Sequence, residues 1–331
     1  MTRTRIVSIL ALFAFAQCPL VDAADGSAAS SRAFRDAPRI QKPEKAPILA
    51  AARAGQRVVA VGDYGIVILS DDGKSFRQAK AVPTRSVLTS VFFLDRKQGW
   101  AAGHDGSVIA SSDGGETWRV LREELGKERA LLSVWFENTS HGFAVGQFGL
   151  VVETEDGGKS WRERKLVDAG EAGDKHLLQI FAANDGLVFV AAEAGAVFRS
   201  EDSGHNWKLV QTDNKGSFWT GLALHDGTLL VAGMRGHIYR SGDRGLSWKE
   251  VPGIPQQSLT SIVQGEDRGV YLVGMSGTAV TSKDQGLSFV ANVRPDRANL
   301  TAATIGPNGI LLFTLAGVVV DFGDGTGRGG K

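Results

Sequence analysis

Six short stretches set a hydroxyl or polar residue, an acid, a glycine and an aromatic in nearly the same register. They are LSDDGKSF (69–76), SSDGGETW (111–118), TEDGGKSW (154–161), SEDSGHNW (200–207), SGDRGLSW (241–248) and SKDQGLSF (282–289). Repeated carboxylates could hold calcium, and several of these stand beside a second acid and a glycine. None has the alternating oxygen-ligand spacing of a calcium loop. A structural use fits the pattern better. Asp71, Asp113, Asp156, Asp202, Asp243 and Asp284 can each accept N–H bonds inside their own turn, and the glycine that follows permits positive φ. The closing aromatic can then bury a large apolar surface. The boxes read as staples and contain no catalytic constellation.

Two other sets of residues carry chemistry. Asp63 and Asp105 occupy matching turns in successive repeats, with Tyr64 and His104 beside them. Glycoside hydrolysis needs two carboxylates roughly 5 to 9 Å apart, or a tyrosine nucleophile with an acid and an arginine cluster. The loops are short for a substrate cleft, and the chain has only three tyrosines. The second set is a column three residues before each apolar run that opens a repeat: Lys45, Arg85, Arg129, Lys175, Gly216, Gln256 and Arg297. Five of these seven are basic and fall on consecutive repeats, counting around a closed ring. Such an arc could hold a carboxylate terminus, an acidic protein segment or an anionic head group.

The elements that position these residues follow from the repeat. Successive boxes begin 42, 43, 46, 41 and 41 residues apart, the length of a propeller blade. Upstream of each box run two apolar strands joined by a tight turn, as in VVAVGDYGIVIL and GWAAGHDGSVIA; a seventh copy, ILLFTLAGVVVD (310–321), has no box. A short apolar strand precedes each pair and another follows the box. The expected fold is all-β: a seven-bladed β-propeller of four-stranded antiparallel blades. Phe34-Arg35 matches the aromatic-basic start of the outer strands, so residues 32–38 are expected to supply the strand missing from blade seven and close the ring.

Antiparallel strand order puts the boxes on one face and the turns between second and third strands on the other, with the links between blades. Those turns differ in every blade, and a rigid frame with variable tips is what a binding surface looks like. Tyr64, His104, Asp105, Phe148 and Arg235 are the candidate contacts there, beside the basic arc of Lys45, Arg85, Arg129, Lys175 and Arg297.

MTRTRIVSILALFAFAQCPLVDAAD has two arginines, an apolar run too short to span a bilayer, and small residues at Ala23. It reads as a signal peptide of residues 1–23. A flexible segment (24–31), the propeller (32–322) and a glycine-rich tail (323–331) follow, giving an exported, periplasmic protein. The single cysteine, Cys18, falls inside the signal peptide, so no disulfide or thiolate site is expected. Lys+Arg is 37 and Asp+Glu 36, a balance that gives no reason to propose nucleic acid as a partner. The six histidines show no metal-ligand spacing along the chain, and neither metal nor cofactor is expected.

The boxes of form S-x-D-x-G-x-[ST]-[WF], with seven blades and a signal peptide, resemble the photosystem II stability/assembly factor family. These are exported propellers with sialidase-type (BNR) repeats, with members outside photosynthesis. The resemblance runs from about residue 32 to 322. It implies a non-enzymatic helper that binds a membrane-protein subunit; separately, the expected partner is such a subunit or another envelope protein, with the chain peripheral to the membrane at most and, as a closed propeller without an obligatory edge to pair, monomeric. It also implies an arginine patch on one face, to which Arg85, Arg129 and Arg297 would correspond, with Lys45 and Lys175 as conservative departures. Gly216 and Gln256 interrupt it. The alternative is a sialidase-like glycoside hydrolase built on Asp63 and Asp105.

Overall fold

The computed structural model describes residues 36–167, 174–183, 185–252 and 256–319. Seven antiparallel sheets succeed one another along the chain, six with four strands and the last with three among the described residues. Blade one is built from Ile48–Ala54, Arg57–Gly62, Val67–Ser70 and Arg77–Gln78, and the inner strands of blades two to seven begin at Leu88, Leu131, Leu177, Phe218, Leu259 and Leu300. The second and third strands of blades one to four are apolar-rich and almost wholly buried, because neighbouring blades cover both faces of each sheet. Outer strands such as Arg119–Arg122 are largely exposed and polar. No helix among the described residues is long and apolar enough to cross a membrane.

Each inner strand packs on the next, and blade seven packs on blade one. Among the described residues, blade seven is joined to blade one by Thr301 Oγ1, which donates to Ile48 O at 2.6 Å. Of the expected closing strand, residues 32–38, only Asp36–Pro38 are described. Residues 32–35 lie outside the described residues, as do residues 1–23, read above as a signal peptide, residues 24–31 and the tail from 320 onward. Asp36–Pro38 form no strand and run beside blade one, where Ala37 N–H donates to Val82 O at 2.9 Å and Gln78 Nε2 to Pro38 O at 2.7 Å. Pro38 has no N–H to give a ladder, and Arg39 ties the segment down by donating to Ala79 O at 2.8 Å.

All seven inner strands slip register at their second residue. Such a bulge re-aims one side chain, and the seven so turned, Leu49, Thr89, Leu132, Leu178, Trp219, Thr260 and Thr301, line the central channel. The threonines clamp blades together. Thr89 Oγ1 bridges Ala102 O (3.1 Å) and Leu131 O of the next blade (2.6 Å), and Thr260 does the same for Val273 O (3.1 Å) and Leu300 O (2.7 Å). No charged residue lines the channel among the described residues.

In five of the boxes the acid accepts hydrogen bonds inside its own turn. Ser111 Oγ donates to Asp113 (2.9 Å) and accepts Gly115 N–H (2.9 Å), while Asp113 accepts Thr117 N–H (2.9 Å) and Oγ1 (2.6 Å). Asp156, Asp202, Asp243 and Asp284 repeat this geometry. Box one requires a correction. Its staple is Asp72, which accepts Ser70 Oγ (3.1 Å) and the N–H groups of Lys74 (2.8 Å) and Ser75 (2.7 Å), whereas Asp71 pairs outward with Arg57. That box lacks one residue between acid and glycine, which moves the role to the second acid of the pair. The boxes also join blades: Arg57, Arg164, Arg199 and Arg240 donate to Gly114 O, Gly204 O, Arg244 O and Gln285 O of the following blade.

Candidate functional site: the turn face

The tips between second and third strands share one backbone and differ in side chain. Tyr64, Asp105, Phe148, Ala194, Arg235 and Ser276 stand at φ between 53° and 55°, and each is followed by a glycine at positive φ. Two consecutive left-handed residues match a type I′ hairpin turn. The two central residues of blade one are therefore Tyr64-Gly65, with the glycine inside the turn. A side chain as large as tyrosine, phenylalanine or arginine is strained there by about 1 kcal/mol or more. Strain without burial points outward: Phe148 is 70% exposed and Tyr64 58%, and Leu315 on the seventh tip is 61% exposed without that strain.

The tips and the basic column, read from the sequence as two sets, are one. At six of the seven tips the glycine meets the link that carries the next blade's column residue. The Cα positions of Arg297 and Lys45 lie against Gly277 and Gly317, and that of Arg85 against Gly65. Gly106 N–H donates to Arg129 O at 2.7 Å and Gly149 N–H to Lys175 O at 2.9 Å. Around the ring, Ser276 meets Arg297, Leu315-Ala316 meets Lys45, Tyr64 meets Arg85, Asp105 meets Arg129 and Phe148 meets Lys175. Gly195 meets Gly216, where the column has no charge.

The cations are not equivalent. Arg129 grips Glu163 with both terminal nitrogens (2.6 and 2.8 Å) and reaches Glu124 at 3.3 Å. Its pKa is raised, chiefly by the Glu163 hydrogen bond, and that of Glu163 is lowered by the same contact. A doubly paired guanidinium offers an incoming carboxylate little, so the arc is interrupted at blade three. Lys45, Arg85, Lys175, Arg235 and Arg297 have no carboxylate within 4.0 Å among the described residues. Arg85 Nε donates instead to Asp36 O at 2.9 Å. Arg297 itself sits at φ 50°.

The remaining tip residues are held locally. Asp63 Oδ1 accepts its neighbour Tyr64 N–H at 2.8 Å, and Asp105 Oδ2 accepts Ser86 Oγ at 2.8 Å. No hydrogen bond joins these two acids to each other, to His104 or to the Tyr64 hydroxyl among the described residues. Gln256 is exposed. Sequence reading missed His176, whose Nδ1 accepts Phe148 N–H at 3.0 Å while its ring meets the phenyl edge-on at 4.6 Å. It also missed Glu163, the partner of Arg129. An open cleft of about 390 Å³ lies beside this pair, lined by Phe148, Arg129 and Lys165 among others.

Residues 116–257 match the family described as photosynthesis system II assembly factor YCF48, which bears out the resemblance read from the boxes. No curated protein matches the chain. Among solved structures, one described as YCF48 bound to D1 peptide is 18% identical, with TM-score 0.67 over 85% of this chain and 96% of that one. YCF48 from Cyanidioschyzon merolae is 15% identical, with TM-score 0.64 over 86% and 97%. A streptogramin B lyase structure is 12% identical, with TM-score 0.69 over 84% and 94%. At these identities the likeness is one of fold.

Proposed function

We propose that the protein is a non-enzymatic, exported scaffold or assembly factor that binds an extended segment of a membrane-protein subunit across its turn face. The observation that carries this reading is the run of three consecutive blade junctions at which an unpaired cation stands beside a tip: Arg297 by Met275-Ser276, Lys45 by Leu315, and Arg85 by Tyr64. Charge with adjacent exposed apolar surface suits a segment that alternates acidic and apolar residues. The match to the assembly-factor family, and the description of one neighbour as holding a D1 peptide, support a peptide ligand taken from a membrane protein. The N-terminal sequence supports export to the periplasm. The glycosidase alternative has less behind it, since Asp63 and Asp105 are each tied within their own turn or link.

The test is cross-linked capture from the native cell envelope, comparing wild type with Lys45→Glu/Arg85→Glu/Arg297→Glu and with Arg129→Glu. The expected result is one membrane-protein partner, lost in the triple variant while circular dichroism is unchanged, and retained in Arg129→Glu. Equal capture by wild type and the triple variant would remove the turn face from the function.

A further inference from the structure

At the junction of blades three and four, on the box face, His141 lies between two carboxylates. Its Nδ1 is 2.8 Å from Glu137 Oε2 and its Nε2 is 3.1 Å from Glu153 Oε1. The His205 ring, from box four, stacks on it at 4.9 Å with only 6° between the planes. One ligand atom each from His141, Glu153 and His205 fall within 4.8 Å of one another. His141 and Glu153 are buried, and His205 is exposed, so the group is built from within and open to solvent on one side.

The other blades serve as an internal control, because the repeat does not require these residues. The position of Glu153, just before the first box residue, holds Leu69, Ala110, Arg199, Arg240 and Thr281 elsewhere. In blades four and five that arginine reaches the next box; in blade three an acid replaces it, and Arg164 from the outer strand makes the contact instead. The position of His205 holds Glu116, Lys159, Leu246 and Leu287 in other boxes. Neither position keeps one residue type around the ring, so the frame does not require the acid or the histidine, and both meet His141 at one place.

We propose that His141, Glu153 and His205 bind one divalent transition ion with a preference for imidazole, zinc being the reference case, and that the ion links blade three to blade four. Two imidazoles and a carboxylate form a common ligand set for zinc and leave a fourth position to water. The ion takes the place of the proton shared by His141 Nε2 and Glu153 Oε1, and that proton leaves to solvent. His141 Nδ1–H then donates to Glu137, the carboxylate partner that usually orients a ligating histidine. Arg162 and Arg164 also hold Glu153 (2.9 and 3.2 Å), so their charges oppose the ion and keep its affinity below that of a closed structural site.

The experiment uses untagged full-length protein, stripped with chelator and titrated with zinc chloride, followed by calorimetry and by Tm. The expected result is one ion per chain and a rise in Tm that calcium does not reproduce. His205→Ala, at an exposed position, should weaken binding at least tenfold and lose the rise, whereas His225→Ala on blade five should leave both unchanged. Glu137→Gln, as a positioning variant, should weaken binding by about 10- to 100-fold without abolishing it. No zinc binding by wild type, an equal Tm rise in His205→Ala, or an equal effect of calcium would overturn the proposal.

Discussion

The two faces of the ring use one repeated backbone in opposite ways. On the box face the side chains repeat with the backbone: each acid accepts its own turn's N–H groups, and the neighbouring hydroxyl is bonded in turn. On the turn face six tips keep φ within 53–55° while the residue there changes from tyrosine to aspartate, phenylalanine, alanine, arginine and serine. Repetition of a side chain marks what holds the blade; variation on a constant backbone marks what is free to meet a partner. The division also runs inside a single turn, where Tyr64 varies around the ring and Gly65 does not. On the box face, too, Glu153 and His205 stand at positions that vary from blade to blade.

The largest effect should come from breaking a repeated position. Gly65 lies at φ +70°, and a Cβ there would fall 2.1 Å from Thr84 O. Gly65→Ala combines left-handed strain with a backbone clash and should cost about 3 kcal/mol, read as a fall in the urea midpoint at unchanged m-value. Tyr64→Ala, one residue earlier, should stay within about 0.5 kcal/mol of wild type. If the two costs were equal, the contrast between repeated and variable positions would have no energetic basis.

A smaller effect separates the faces by pH. Asp156 and Asp284 are pushed down to about 2, first by the hydroxyls of Ser160 and Ser288 and then by backbone N–H groups. A carboxyl whose folded pKa lies below its ordinary value contributes stability above that ordinary value, near 3.8, and loses it as pH falls through about 2. Unfolding midpoints measured from about pH 5 downward should therefore decline toward pH 2. Asp156→Asn should flatten part of that decline. An unchanged slope in Asp156→Asn would mean that the box acids do not govern acid stability.

Much of the fold was legible because periodicity is a property of letters: the box spacing, the paired strands and the turn glycine gave seven blades and two faces. What escaped depends on partners distant in sequence or on backbone offsets. The bulge at the second residue of every inner strand falls on Leu49, Thr89 and Trp219 alike, so no residue type announces it. Asp71 and Asp72 stand side by side, and only hydrogen bonding shows which is the staple. Arg129 looked like its neighbours in the column until folding brought Glu163 from the outer strand of its own blade. The histidine pair escaped a search for ligand spacing because its members come from different blades.

The smallest predicted effect has the opposite sign, which makes it the sharpest test of the contrast. Phe148 occupies a left-handed conformation that costs a bulky residue about 1 kcal/mol, which glycine does not incur. Its side chain is 70% exposed, so truncation gives up little buried surface beyond the edge contact with His176. Phe148→Gly should therefore leave the urea midpoint unchanged or raise it by up to about 0.5 kcal/mol, with the greater chain entropy of glycine when unfolded offsetting part of the gain. A residue that strains its own turn and buries little does nothing for the blade, and its contribution is to be sought outside the chain. If Phe148→Gly instead lowered stability by more than about 1 kcal/mol, the phenyl ring would be a structural cover for His176, and the tips would have to be counted with the boxes as part of the frame.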